Sequence, residues 1–283
     1  MNAMARYDVV KRDIFADAPV LTDGRRDGDR GSIQESNRET SRNSTLENES
    51  PGSLESSIGS TRKMISESSR QVNCAINLAD SWEGPAWKEI EAIPVKNMMG
   101  DTPLFVPGTQ VKMMYDESHL YVLFLVKDRY VRCRITECNG PVYEESAVEF
   151  FFSPDPEFPD RYFNLEINGG GTPLMRYNDF RLQEHRFLKV EDIQKVDIAH
   201  SLPRVVDPEV AMPVTWTVEC KIPLEMIESY AKVVRPQPGV EWRANFYKIA
   251  EKGTNVHFLT WSEVVNPVPN FHLPAFFGTL RFV

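Results

Sequence analysis

The chain has 283 residues, of which 41% are hydrophobic and 11% aromatic, and it carries a formal net charge of −9. This length and apolar content suffice for one substantial hydrophobic core. The acidic balance, without a concentrated stripe of Lys and Arg, argues against nucleic acid as a partner. No apolar run approaches the roughly 20 residues that a membrane-spanning helix needs, so membrane insertion is not expected.

The N-terminal quarter of the chain differs in composition from the rest. Residues 23–70 are rich in Ser, Glu, Arg, Asn and Gly and contain few large apolar side chains. Such a segment cannot bury enough surface to offset the entropy lost on ordering. We therefore predict a disordered low-complexity tail over residues 1–70 and a folded domain over 71–283. The opening residues are too often interrupted by charge to form the apolar centre of a signal peptide, so no export signal is visible.

Short strands separated by turn residues are predicted to build the domain. Its first segment places Trp82 and Trp87 around a Gly-Pro turn, where core packing is favoured over exposure to a ligand. In chain order, strands are predicted within 109–128 (two, around Asp116-Glu117-Ser118), 143–168 (two, around a proline-rich turn), 216–222, 242–249 and 278–283, with a short helix within 223–232. This pattern predicts an all-β fold, an antiparallel two-sheet β-sandwich of the jelly-roll or immunoglobulin-like kind.

Three of these strands have one apolar side and one hydrogen-bonding side, because successive side chains of a strand point to opposite faces. The apolar positions, predicted to face the core, are Val148, Phe150, Phe152, Phe163, Leu165, Ile167, Trp242, Ala244 and Phe246. The opposite positions gather Glu149, Asn164, Glu166, Arg243, Asn245 and Tyr247. A solvated sheet face is the simpler interpretation. Carboxylates, amides and a guanidinium on one face also suit the hydroxyl groups of a neutral sugar.

Eight motifs follow one another between about residues 72 and 283: WEGPAW, YDESHLYVLFLVKD, YEESAVEFFFSP, YFNLEINGGG, WTVECKIP, PGVEWRANFYKI, TWSEV and NFHLPAFFGTLRF. In this order they resemble the family 9 carbohydrate-binding modules and their stand-alone bacterial relatives. The resemblance implies a β-sandwich that binds β-linked plant-type glycans such as cellulose or xylan and is not itself an enzyme. It also implies an extracellular or periplasmic location and the company of glycoside hydrolases in polysaccharide catabolism.

The resemblance also implies where the sugar binds. In this family two tryptophans sandwich the sugar, and the corresponding places in this chain hold Tyr143 and Phe271. Glu149 takes the place of the family's strand glutamate and Asn164 that of a polar contact residue. His272, beside Phe271, is expected to line the same site. The alternative for Phe271 is a core residue that closes the last strand.

Three other classes of function remain open at this stage. A glycosidase is one alternative, since Glu149 and Glu166 on adjacent strands could approach the roughly 5 to 5.5 Å separation of a retaining pair. A sandwich that binds haem and a plain protein-interaction domain are the others. A binder would lose only some affinity on Glu149→Gln, whereas a glycosidase would lose its turnover.

No cofactor is predicted, but two groups of residues leave cofactor sites open. The doublets Met98-Met99 and Met113-Met114 are candidate axial ligands for haem, although methionines more often fill gaps in a core. A structural calcium ion would have the carboxylates of Asp155, Glu157 and Asp160 as candidate ligands. The prolines beside them explain the same segment as a rigid turn.

The four cysteines show no metal-ligand spacing. We predict isolated thiols, with a Cys133–Cys138 disulfide as the alternative; the four are Cys74, Cys133, Cys138 and Cys220.

Overall fold

The computed structural model describes residues 4–12 and 82–283. These residues form a β-sandwich, which confirms the predicted all-β fold. The strands are Arg6–Lys11 (β1), Ile93–Val95 (β2), Asn97–Met99 (β3), Gly108–Tyr115 (β4), His119–Asp128 (β5), Val131–Cys133 (β6), Ala147–Ser153 (β7), Arg161–Asn168 (β8), Pro173–Asp179 (β9), Glu184–Phe187 (β10), Asp197–His200 (β11), Val206–Val210 (β12), Val214–Pro223 (β13), Glu241–Ala250 (β14), His257–Thr260 (β15) and Gly278–Phe282 (β16). Two short helices, Val190–Ile193 (α1) and Leu224–Glu228 (α2), and two 3₁₀ turns, Val142–Glu144 and Pro274–Phe276, complete the set.

Two curled sheets pack against each other. The first, called the site sheet below, has the strand order β10-β9-β8-β7-β14-β16, and β15 and β3 continue it from the far end of β14. The second, called the back sheet, has the order β4-β5-β13-β11, with β2 also paired to β4. Neighbouring strands within each of these sets are antiparallel, and β6 and β12 form a separate antiparallel pair.

Strand β1 corrects the predicted tail of residues 1–70. Its first four residues run parallel to β16 and its last two run parallel to β4, so it joins the edges of the two sheets. Tyr7 and Val9 are buried in the core at 5% and 0% exposure. Prediction missed the strand because its few apolar residues alternate with charged ones and are averaged out in a long polar segment. Residues 13–70 of the predicted tail lie outside the described residues.

The core between the two sheets is lined by the residues that strand alternation predicts. All nine apolar residues assigned to β7, β8 and β14 are buried in it, which confirms the predicted core face. Phe150 of β7 stacks on Phe246 of β14 with ring centroids 4.8 Å apart, and Phe246 meets Phe124 of the back sheet edge-on at 6.0 Å. Aromatic contacts of this kind fix how the two sheets are placed against each other.

Smaller predicted features are also confirmed. The doubly apolar strand β5 is a central strand between β4 and β13, and helix α2 begins directly after Pro223. Trp82 and Trp87 are buried and pack with Leu123 on the outer face of the back sheet. None of the helices in the described part of the chain is long and apolar enough to cross a membrane.

The described cysteines are free thiols. Cys133 and Cys220 are buried and Cys138 is half-buried. The alternative Cys133–Cys138 disulfide is therefore not formed, and Cys74 lies outside the described residues.

Candidate functional site

The outer face of the site sheet, the side that prediction assigned to ligand, is partly covered by the segment 262–277. The side chain of Asn245 donates to the carbonyl of Ser262 at 3.0 Å and accepts from its backbone N–H at 2.8 Å. Arg243 donates to the carbonyl of Phe277. Both side chains therefore anchor the covering segment and lie outside the cavity described below, contrary to their predicted place. Alternation predicts which side chains share one face of a strand. It does not predict that a later segment of the chain covers that face.

Phe271 and Tyr247 form part of the same anchor. Their rings stack at 4.1 Å with an angle of 15°, and the Tyr247 hydroxyl donates to the Phe271 carbonyl at 3.2 Å. Phe258 packs edge-on against Phe271 at 6.0 Å. Phe271 is only 6% exposed, so it is a buried ring with an edge at the cavity, close to the alternative left open for it. Tyr247 is fully buried and does not line the cavity, where prediction had placed it.

A cavity of about 150 Å³ lies where the site sheet meets the covering segment and the 3₁₀ turn before β7. Its lining mixes aromatic rings with charged and amide side chains: Tyr143, Glu149, Phe151, Glu166, Arg176, Ile249, Glu251, Phe258, Pro269, Asn270, Phe271 and His272. Five of the nine predicted site residues are thus brought together, namely Tyr143, Glu149, Glu166, Phe271 and His272. Tyr143 is half-buried, whereas Phe271 and Phe151 are buried.

Two carboxylates form the most polar part of the cavity. Glu149 and Glu166 stand directly opposite each other on β7 and β8 and are 3% and 2% exposed. One oxygen of Glu166 accepts from Asn164 at 2.6 Å and from Arg176 at 3.0 Å. Its other oxygen is buried without a hydrogen-bond partner, and Glu149 lines the same cavity. Asn164 therefore acts behind the cavity by orienting Glu166, whose unsatisfied oxygen is available to accept from a ligand.

Burial shifts the titration of these groups. It raises the pKa of Glu149 well above its ordinary value, and the charge of Glu166 adds to that shift while Arg176 opposes it. Burial also raises the pKa of Glu166, against the lowering influence of Arg176 and Asn164. Glu149 thus keeps its proton to higher pH than a free glutamic acid does, and a protonated carboxyl can donate as well as accept a hydrogen bond. Burial lowers the pKa of His272 to about 4, which makes it neutral near pH 7.

The buried Glu149 carboxyl should make stability fall as pH rises. An unfolded Glu has a pKa of about 4.3, and the folded pKa is higher, so above pH 4.3 the folded state binds more protons than the unfolded state. Stability then declines until pH passes the folded pKa. We expect the melting temperature of Glu149→Gln to rise relative to that of the parent as pH increases. Calorimetry of both proteins from pH 4 to 8 measures this difference.

Glu157→Gln provides the opposite case. Its carboxylate is exposed, and a hydrogen bond from Lys232 lowers its pKa, so its contribution to stability is present at higher pH and lost on acidification. The melting temperature of Glu157→Gln should therefore fall relative to that of the parent as pH increases. A Glu149→Gln difference that does not vary with pH would contradict the assigned shift.

Three polar residues of the cavity were not predicted. Arg176 lies on β9, whose alternation places it on the same face as Glu166, so treating 173–179 as a strand would have found it. Glu251 follows β14, and its backbone N–H donates to the Tyr143 carbonyl at 3.0 Å. Asn270 belongs to the covering segment. Neither of these two has a periodic signal in the sequence because both lie in loops.

The candidate calcium ligands are engaged elsewhere. Lys232 lies 2.5 Å from Glu157 and 3.5 Å from Asp155, and Arg181 lies 2.5 Å from Asp160. Within 4–12 and 82–283, no group of three or more His, Cys, Asp or Glu side chains is placed to hold a metal ion.

The methionine doublets are separated in the fold. Met113 is buried in the core between the sheets, Met99 under the covering segment and Met114 beside the two N-terminal tryptophans. Met98 is 42% exposed. The three buried methionines therefore pack in three different clusters and do not face one another across a single pocket.

Comparisons with known proteins agree with the fold. The sequence profile of carbohydrate-binding family 9 matches residues 86–282. A crystal structure from Bacteroides uniformis ATCC 8492, provisionally assigned to carbohydrate binding, is 28% identical with a TM-score of 0.64, and the match covers 73% of this chain and 91% of that one. A family 9 module from Caldicellulosiruptor kristjanssonii matches at 17% identity in complexes with glucose (TM-score 0.46, 70% and 87% of the two chains) and with cellotriose (0.47, 70% and 85%). No curated protein matches the chain.

Proposed function

Because the chain belongs to carbohydrate-binding family 9, we propose that its cavity binds a sugar unit of a β-linked plant-type glycan, such as cellulose or xylan, without cleaving it. One observation carries this proposal: two buried carboxyl groups, one of them with an unsatisfied oxygen, line a small cavity beside a half-buried aromatic ring. A neutral ligand with many hydroxyl groups and an apolar C–H face satisfies both features.

Each group of the cavity has a use in holding a pyranose. The free oxygen of Glu166 accepts from a hydroxyl, and Glu149 donates as well as accepts while it keeps its proton. Arg176, which lies at the cavity wall, donates to hydroxyl oxygens. The ring of Tyr143 offers a flat apolar surface, and burying 50 to 100 Å² of sugar C–H surface there contributes roughly 1 to 2.5 kcal/mol.

The charge of the lining favours a neutral sugar over an anionic one. Three carboxyl groups, those of Glu149, Glu166 and Glu251, line the cavity together with a single guanidinium, that of Arg176. With Glu149 protonated, Glu166 and Glu251 still outnumber the one guanidinium. The carboxylate of a uronic acid would therefore meet net negative charge, and like charges brought together cost several kcal/mol. We therefore propose that acidic glycans bind much more weakly than cellulose-like or xylan-like chains.

Binding fits the placement of the carboxylates better than hydrolysis does. In glycosidases the two catalytic carboxyl groups flank the scissile bond. Here Glu149 and Glu166 are cross-strand neighbours on one sheet face, so both lie on the same side of a bound sugar. Glu166 is also held by Arg176 and Asn164, which suits a fixed acceptor.

We extend the proposal to the cellular role: the chain assists polysaccharide catabolism next to glycoside hydrolases, outside the cytoplasm. The motif order shared with modules that accompany such enzymes supports this role. Fractionation of the native cells, followed by detection of the chain with an antibody, tests the location. Recovery in the cytoplasmic fraction alone would contradict it.

Tyr143→Ala should weaken glycan binding about 5- to 70-fold, which corresponds to the loss of one stacking contact. Isothermal titration against cello-, xylo- and manno-oligosaccharides measures the change. Phe158→Ala serves as the matched control, because Phe158 is an exposed ring in the β7–β8 turn that does not line the cavity. Equal affinities for Tyr143→Ala and the parent would remove this ring from the site.

A further inference from the structure

The charged side chains of the cavity do not balance one another. Three carboxyl groups and one guanidinium line it: Glu149, Glu166, Glu251 and Arg176. Burial lowers the pKa of His272, which also lines the cavity, to about 4, so this ring is neutral near pH 7. Even while Glu149 keeps its proton, two carboxyl groups remain to be ionised beside one guanidinium. The lining of the cavity therefore carries net negative charge.

The two lysines nearest the cavity do not supply the missing positive charge. Lys248 lies on the core-facing side of β14, and its ammonium is 3.2 Å from the carboxylate of Asp128. Lys252 follows Glu251 in the chain and pairs with Glu144 at 2.7 Å. Each lysine is thus matched by a carboxylate outside the cavity. The excess of negative charge stays with the lining itself.

One carboxylate oxygen of the lining has no partner within the protein. Glu166 is 2% exposed, and one of its oxygens accepts from Asn164 and Arg176 while the other is buried with no hydrogen-bond partner. The guanidinium of Arg176 also favours the ionised form of Glu166. Glu251 lines the same cavity from an exposed position. A hydroxyl offers such acceptors one proton, whereas an ammonium offers three and adds positive charge.

The aromatic part of the lining favours the same charge. Four rings line the cavity: Tyr143, Phe151, Phe258 and Phe271. The face of an aromatic ring is partly negative and attracts a cation, more strongly where water is excluded. Elsewhere in the chain the ammonium of Lys112 lies 4.4 Å from the ring centroid of Trp82. Carboxylates beside aromatic rings are thus suitable surroundings for a protonated amine.

We infer that the cavity binds a β-linked glycan whose sugar carries a protonated amine, a glucosamine unit, more tightly than a neutral glycan of the same length. This inference rests on the proposed function, because it assigns a further class of ligand to the same cavity. Glucosamine differs from glucose only by an amino group in place of the 2-hydroxyl, so it keeps the size and the C–H face of a pyranose. Its ammonium donates to the unpartnered oxygen of Glu166 and offsets the excess charge shared with Glu251.

The test compares three trisaccharides of one linkage that carry a 2-hydroxyl, a 2-amino or a 2-acetamido group on each sugar. Titration calorimetry of the full chain at about pH 6.5 measures them, since an amine is protonated and an ordinary carboxyl is ionised there. We expect the amino trisaccharide to bind roughly tenfold more tightly than cellotriose, because charge-assisted hydrogen bonds are the stronger ones. The acetamido trisaccharide, which is neutral, should show no such gain. Cellotriose should displace the amino trisaccharide.

Two glutamate variants separate the cavity from the acidic surface of the chain. Glu251→Gln removes a carboxylate of the lining and should lower the ratio of amino to neutral affinity by roughly threefold or more. Glu157→Gln is the matched control, because its side chain is 71% exposed and does not line the cavity. This control should leave the ratio unchanged. An unchanged melting temperature at the pH of the titration shows that each variant is folded.

Other results have separate meanings. Equal affinities for the amino trisaccharide and cellotriose, or a preference that both variants lower alike, would overturn the inference and leave the proposed function in place. Binding of the amino trisaccharide that cellotriose does not displace would also overturn it, since the amine would then bind outside the cavity. Failure of the parent chain to bind any of the three would overturn the proposed function itself.

Discussion

Lys248→Met is expected to lower the free energy of unfolding by about 3 to 5 kcal/mol, because it leaves a buried charge without its partner. The side chains of Lys248 and Asp128 are both 0% exposed, and their charged atoms lie 3.2 Å apart. Lys248 also donates to the carbonyl of Ile249 at 3.1 Å and lies 2.8 Å from Nε2 of His257. Without the ammonium group, Asp128 keeps only weaker partners such as the indole N–H of Trp216 at 3.4 Å.

Chemical denaturation measures this effect, with Lys252→Met as the matched control. Lys252 forms an ion pair of similar length, 2.7 Å, with Glu144, but its side chain is 61% exposed. Solvent screens such a pair, so its loss should change stability by less than about 1 kcal/mol. Equal effects of the two substitutions would show that the buried ion pair contributes no more to the free energy of unfolding than the exposed pair does.

Arg176→Met is expected to weaken saccharide binding by about 2 to 3 kcal/mol, or roughly 30- to 160-fold. Arg176 donates to Glu166 at 3.0 Å and lines the cavity. Its removal deletes a donor to the ligand and takes away the charge that lowers the pKa of Glu166. The buried carboxyl groups of Glu149 and Glu166 would then share one small cavity without the neighbouring guanidinium.

Titration calorimetry against the tightest-binding oligosaccharide measures the loss. Arg235→Met is the control, because Arg235 pairs with Glu228 through two hydrogen bonds of 2.6 Å and does not line the cavity. Arg176→Lys keeps the charge but not the planar fork and should give an intermediate affinity. An Arg176→Met affinity within twofold of the parent would remove Arg176 from the binding surface.

Strand alternation predicted the core side of the fold because it depends only on local geometry. In β7, β8 and β14 a row of apolar residues recurs at every second position, interrupted by Lys248 in β14. A strand has only one way to bury such a row. Strand β1 was not found by the same means, since its six residues hold only three apolar side chains beside charged ones and stand at the start of a long polar segment.

The candidate site was predicted in part. Glu149 and Glu166 follow from alternation, and Tyr143, Phe271 and His272 from the family resemblance. Asn245 and Arg243 share the predicted face but hold the covering segment. That segment has no periodic pattern, so its path across the sheet is a tertiary property that no local reading reveals.

Titration of the chain with cello- and xylo-oligosaccharides, with released reducing ends followed in the same samples, tests the central claim most directly. We expect saturable binding that Tyr143→Ala weakens, and no release of reducing sugar. Release that disappears in Glu149→Gln would instead show a glycoside hydrolase. Absence of binding to every glycan would contradict a saccharide site in this cavity.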